Sequence, residues 1–457
     1  MQSMRKIRLL LFPFLLQVVV AKTQPPLFLG TKTPYPPPTV SNTPPPEGFR
    51  PLFVNYVGRH GARYLTKAGA DINTLRVLEK ASSSQGLTEQ GRKVRQIVGR
   101  LCDIDKGQYE NITFSGAEEQ RAIGNRVFDG YRSAFTGKGL AVKVTYKVRT
   151  RQSADAFLTA FAGYAGKVQF SKAADTLDAV LRYYDLSPGY QEYKKSQGLK
   201  RTLDSLKADP RTRAVADHVC SRLFVPAFRD SIGNDEALAF TEDLYDLYTA
   251  SFALSGEMAA RGFVRDSMDL GRAFSREDLV WEDFRSGAQD FLEKGPGRDA
   301  LGIQVRVAAP LLVDFIRTMD EAAGGGGAAG GTERIGAASG PDAVLRFTHA
   351  EAISPFAALL GIPSASGSTR CIYDYADHWR AEAVIPLSAN IQWILYSNGK
   401  DYYVKVLLNE REALLPMGKG QGPYYRWEEL RAYCLQRLRQ VGAGMGDDLL
   451  KYLKELR

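Results

Sequence analysis

The stretch "PLFVNYVG" at 51–58 is almost unbroken in apolar and aromatic residues, and it runs straight into "RHGAR" at 59–63. A strand with no polar alternation is buried on both faces, which is the signature of a parallel sheet covered by helices. The rest of the first third keeps that rhythm. "LTEQGRKVRQIVGRL" at 87–101 spaces Val94, Ile97, Val98 and Leu101 as one helical face and opens from Thr88 as a cap. A second amphipathic helix is predicted over 116–134, a strand over "LAVKVTYKVR" at 140–149, and a helix over 153–164. Alternating strands and helices predict an α/β fold, a mostly parallel sheet flanked by helices.

From about 165 to 335 the strand signal fades, and "SREDLVWEDFRSGAQDFLEKG", with Ser275 and Asp278 in capping-box spacing, is helical in pattern. This is read as a largely helical insertion ending in the glycine-rich run 324–340, whose formal GxGxxG follows a helix rather than a strand and is no dinucleotide loop. Strand character returns at "AVLRFT", 343–348. An antiparallel pair is predicted around Asn398-Gly399, and two helices near 427–440 and 447–456 close the chain. The expected organisation is an N-terminal segment 1–21, a proline-rich arm or tether over 22–48, an α/β core in two parts (49–164 and 341–457), and the helical insertion 165–340 between them.

Residues 1–21 carry Arg5, Lys6 and Arg8 before "LLLFPFLLQVVVA", the pattern of a secretory signal peptide, too short and too interrupted by Pro13 to span a bilayer comfortably. An exported protein at the periplasm, the cell surface or in the medium is therefore expected, with no stable membrane insertion once the signal is removed. The 457 residues carry a net charge of +9, which suits an anionic partner. With no zinc-finger spacing and no basic run interleaved with aromatics, nucleic acid is not that partner. Cys102, Cys220, Cys371 and Cys434 have no CxxC pair, so one or two disulfides and four buried thiols are both open.

Three motifs carry chemistry. In "RHGAR", Arg59 and Arg63 offer forked donors suited to phosphate oxygens, and they disfavour a charged ring on His60 between them, leaving it neutral and nucleophilic. In "THAEAISPF", His349 and Glu351 follow a strand as His60 does. In "RTRQSADAF", Arg149 is placed at a strand end.

Together and in this order, the three motifs resemble the branch of the histidine phosphatase superfamily that contains acid phosphatases and phytases. His-Ala-Glu, together with "VLLNEREALLP", resembles the multiple inositol polyphosphate phosphatases within it. The resemblance runs from about 50 to 418. It implies that His60 is the nucleophile, that Arg59, Arg63 and Arg149 hold phosphoryl oxygens with His349 as a further contact, and that Glu351 is the proton donor. Arg151 is the alternative if the register near 149 is shifted by two. Thr66 and Lys67 are implied as neighbouring-phosphate contacts, and Leu65 stands where the resemblance leads one to expect proline. The implied activity is hydrolysis of inositol polyphosphates such as phytate with no metal or cofactor. A broad-specificity acid phosphatase and a non-catalytic polyanion binder are the alternatives. Glu351 is expected to be protonated before reaction, giving best activity on the acid side of neutral.

Overall fold

The computed structural model describes residues 27–171, 178–324, 340–418 and 422–457. The expected signal segment 1–21 lies outside them, as does most of the glycine-rich run (325–339). Eight strands among the described residues form one sheet in the order β3-β2-β4-β1-β5-β6-β7, with β8 on β6. The strands are β1 Arg50–Arg59, β2 Leu140–Val144, β3 Val168–Phe170, β4 Ala343–Thr348, β5 Asn390–Ser397, β6 Tyr402–Leu408, β7 Arg411–Glu412 and β8 Tyr424–Arg426.

The α/β class with a helix-flanked sheet holds, but parallel pairing is confined to β3-β2-β4-β1, and every pairing from β1 through β5 outward is antiparallel. The reason is local. β5 and β6 are joined by a short turn in which the Asn398 side chain accepts from the Lys400 and Asp401 amides and Gly399 takes φ +90°, and a connection that short can only reverse direction.

Four helices of the first core segment are α1 Ala70–Ser83, α2 Glu89–Asp105, α3 Phe114–Gly130 and α4 Val148–Leu158. Thr88 caps α2 by accepting from the Gly91 amide at 3.0 Å. The reciprocal box at Ser275 and Asp278 opens the helix Arg276–Glu293. The closing helices are Trp427–Gln440 and Leu449–Glu455.

One strand is shorter than its sequence pattern suggests. β2 stops at Val144, and α4 begins at Val148, so Arg149 lies in the first turn of a helix rather than at a strand end. The alternation Val142, Val144, Tyr146, Val148 continues past the point where pairing with β4 is possible, because β4 ends at Thr348. Arg149 is moreover a cation at the positive end of a helix dipole, an unfavourable placement that local propensity does not select.

The proline-rich stretch is docked rather than a free tether: Tyr35 is buried and Thr43 bonds Glu412. None of the four cysteines is bonded; Cys220 and Cys434 are buried, Cys102 is partly buried and Cys371 exposed, which fits neither disulfides nor four buried thiols. Among the described residues no helix is long and apolar enough to cross a membrane.

Candidate active site

The strand register builds the centre of the site. β1 and β4 are parallel neighbours with Arg59 opposite Thr348, so the residue that follows each strand is a histidine. Adjacent strands lie about 4.8 Å apart, and the rings of His60 and His349 accordingly sit with centroids 5.5 Å apart. This is the crevice beyond the carboxyl ends of parallel strands, where open α/β sheets bind ligands.

Neighbouring elements hold the "RHGAR" loop from several sides. The His60 amide donates to Thr348 O at 3.0 Å, the Gly61 amide to Ser153 Oγ at 3.0 Å, and the Ala62 amide to Glu119 Oε2 at 3.1 Å. Gly61 packs so closely on α3 that a Cβ there would lie 2.5 Å from Gly116 O, and Gly116 faces Ala62 just as tightly. Leu65 therefore needs no proline for the loop to be rigid: Tyr64 N bonds Asn111 O at 3.0 Å, and Glu110 N bonds Leu65 O at 2.9 Å.

The tautomer of His60 follows from its partner. Nδ1 lies 2.9 Å from Gly61 O, and a carbonyl only accepts, so Nδ1 carries the hydrogen and Nε2 keeps its lone pair. Burial first, then Arg59, His349, Arg63 and Arg149, push the His60 pKa well below the ordinary imidazole value. The ring is neutral, as its arginine neighbours in the sequence imply.

His349 is the residue preceding the helix Ala350–Leu359. Its Nε2 lies 3.0 Å from Thr145 Oγ1 and 3.3 Å from Arg182 Nη1, and its Nδ1 is 3.4 Å from Arg149 Nη2. Burial and then Arg149 keep it neutral too. A neutral imidazole has one bare nitrogen, so it cannot accept from both guanidinium groups. Several donors around the two rings have no partner: Arg59 Nε, Arg63 Nε, Arg149 Nε and Arg182 Nε are buried and unbonded, and Arg149 Nη1 is left with only the Glu110 carboxylate at 3.5 Å. Buried unpaired guanidinium nitrogens are costly. A set of them converging on one crevice suits a tetrahedral oxyanion with many acceptor positions. The cations also feel one another: burial, then Arg149 and Arg59, bring Arg63 down to about 10.

The structure brings together His60, His349, Glu351, Arg59, Arg63 and Arg149. It separates Arg151, whose Nε pairs with Asp155 at 2.9 Å on an exposed face, so the motif arginine beside His349 is Arg149. Thr66 and Lys67 are exposed beyond the loop, and none of the cluster's hydrogen bonds or ion pairs reaches them. Two site residues escaped the sequence reading. Arg182 reaches His349 because Leu181 O accepts from Thr348 Oγ1 at 2.8 Å, which fixes that segment over the end of β4. Lys294, just past the helix Arg276–Glu293, lies 2.6 Å from Asp290 Oδ1 and 3.7 Å from Glu351 Oε1. Both come from the region without motifs, where nothing local separates them from other basic residues.

Lys294 also corrects the expected charge on Glu351. Burial is the largest single influence and would raise its pKa, but Lys294, His349, a backbone hydrogen bond and Arg59 together outweigh it and bring it down to about 2, so the carboxyl is ionised at neutral pH. The sequence placed Glu351 just past a strand but gave no view of a lysine more than fifty residues earlier.

Known structures share this fold. The Bifidobacterium longum multiple inositol polyphosphate phosphatase, solved with inositol hexasulfate, is 22% identical with a TM-score of 0.75, over 89% of this chain and 97% of that one. Its complex with phosphate gives 21% and 0.76, over 90% and 97%. The phytase from D. castellii gives 16% and 0.60, over 92% and 88%. Comparison with curated protein sequences gave no match. Residues 52–409, which include the two histidines, Glu351 and the arginines around them, match the histidine phosphatase superfamily (branch 2), and the chain belongs to that family of enzymes acting on phosphate esters.

Proposed function

We propose that this protein is an exported phosphatase that removes phosphate from inositol polyphosphates such as phytate through a phosphohistidine on His60. The observation that carries the reading is the single lone pair of His60 Nε2, left free by the Nδ1–Gly61 bond on a ring that has the buried, unpaired guanidinium nitrogens of Arg59, Arg63 and Arg149 around it. Phosphoryl transfer has a loose transition state with charge on the equatorial oxygens, so positioning and fixed cations supply most of the catalysis. Arg59, Arg63 and Arg149 take those oxygens, with Arg182 and His349 beside them. Nε2 forms the P–N bond as the bond from phosphorus to the inositol oxygen breaks, and Glu351 delivers its proton to that oxygen. Water then attacks phosphorus, Glu351 takes its proton, and the P–N bond breaks to release phosphate and restore the ring.

Glu351 starts ionised in the free protein, so it acquires its proton as the substrate enters, when polyanionic charge offsets the field of Lys294. Arg182 places a further guanidinium beside the reacting phosphate, in keeping with a multiply phosphorylated ring, and the structural neighbour solved with inositol hexasulfate supports that substrate class. Export rests on the sequence of residues 1–21.

The test is phosphate release from phytate and from a small monoester by the wild type and His60→Ala, each with and without a chelator. The reading expects preference for phytate, no effect of the chelator, loss of at least about a thousandfold in the variant, and acid-labile phosphorus on wild-type enzyme only. Equal rates on both substrates favour a broad-specificity phosphatase. No release from either protein favours a polyanion binder.

A further inference from the structure

We infer that the N-terminal strap, residues 27–43, is part of the active site, and that the Thr31 backbone carbonyl is a positioning group for Arg59. The inference rests on the proposed role of Arg59 at the phosphoryl group. Arg59 is 5% exposed, and its Nη1 is held by Thr31 O at 2.6 Å, Ile385 O at 2.6 Å and Pro386 O at 3.2 Å. The two hydrogens of Nη1 are thereby committed to backbone, one of them to the strap. Because a guanidinium is planar, fixing one nitrogen from two sides fixes the whole fork and aims its unpaired Nε. Without Thr31 the group keeps carbonyls only from residues 385–386 and can rotate.

Thr31 is itself held firmly. It sits in the single turn Gly30–Lys32, where Gly30 takes φ +49°. On one side, the helix Asn234–Ser251 grips the strap: Tyr248 donates to Leu27 O at 2.7 Å, Tyr245 to Phe28 O at 2.9 Å, and Lys32 Nζ reaches Asp246 Oδ1 and Thr249 Oγ1, each at 2.9 Å. On the other, Leu387 N donates to Thr33 O at 2.9 Å. The strap touches the catalytic loop a second time through Glu119, which accepts from Tyr35 N at 3.0 Å and from Ala62 N at 3.1 Å. Beyond it, Tyr35 Oη donates to Glu410 at 2.9 Å. One segment thus ties the helices between the two halves of the core to the loop bearing the nucleophile.

The experiment is a double-mutant cycle in the full-length chain. Gly30→Val forces a β-branched residue into the left-handed region and shifts the turn that presents Thr31. It is made in the wild type and in Arg59→Ala, with kcat and KM on phytate and calorimetric affinity for inorganic phosphate read in all four proteins. Expected is a fall in kcat of about ten- to a hundredfold with Arg59 present, a weaker phosphate affinity, and less than about a twofold further effect in the Arg59→Ala background. Lys32→Ala, which loosens the strap without backbone strain, gives the same pattern more weakly and stands in if Gly30→Val does not fold. Equal losses in both backgrounds, or full activity and affinity in the strap variants, overturn the inference. If the wild type releases no phosphate, the proposed function fails, and the strap is still judged by the phosphate affinities of the same four proteins.

Discussion

Replacing Lys294 by methionine removes the strongest of the groups that lower the Glu351 pKa, and the consequence can be sized from the geometry. The charges are 3.7 Å apart. Coulomb's law gives about 1 kcal/mol at the dielectric of water and about 4 kcal/mol at the effective value of about 20 typical of pairs near a protein surface. Glu351 is partly open to solvent, which argues for the lower part of that range. At 1.36 kcal/mol per pKa unit, the carboxyl rises by about one unit or more. The sign is upward, since loss of a nearby cation disfavours the carboxylate. The general acid then stays protonated to higher pH, so the alkaline limb of the kcat profile on phytate moves up by about one unit or more. Lys294 also neutralises Asp290, 2.6 Å away, and the methionine variant leaves that carboxylate to push Glu351 further in the same direction. Adding Asp290→Asn removes the extra push and leaves the effect of Lys294 itself. The assay is initial rate against pH for wild type, Lys294→Met and the double variant. An alkaline limb that does not move, with kcat lowered equally at every pH, would refute the role given to Lys294.

Gly61→Ala is expected to cost about 2 kcal/mol or more of stability, because its Cβ meets the backbone oxygen of Gly116 at 2.5 Å and neither partner can yield; denaturant unfolding measures it. Arg182→Ala should lower kcat/KM on phytate by about tenfold or more, in line with loss of a charge-assisted contact to phosphate of about 1.5–3 kcal/mol, while a variant that differs less than about twofold from wild type would remove Arg182 from the site. Asp105 is buried behind the catalytic loop with Oδ1 unbonded, and burial raises its pKa to about 7. The folded state therefore holds a proton that the unfolded chain releases near pH 4, and stability falls as pH rises from about 4 to about 7. Asp105→Asn should cancel that slope, gaining at most about 4 kcal/mol over wild type at pH 8 and nothing at pH 4, as followed by denaturant unfolding at the two pH values.

The sequence by itself determined what is local in the chain. A two-face-buried strand, a capped helix at Thr88, the box at Ser275 and Asp278 and the turn at Asn398-Gly399 are each written in a few adjacent residues, because propensity, caps and turns act over one or two turns of chain. The three motifs were legible for the same reason: each is a strand end or helix start with its chemistry attached. Where β2 stops was not legible, since its alternating pattern runs on and only the length of the partner strand β4 ends the pairing. The motif pointed to Arg149 but kept Arg151 as an alternative, because the choice depends on which face of α4 meets His349. The tertiary structure alone decided the charge on Glu351, the recruitment of Arg182 and Lys294, and the hold of Thr31 on Arg59. Coulomb interactions and hydrogen bonds act through space, and groups far apart along the chain share a site only once the strands are in register and the intervening helices have packed.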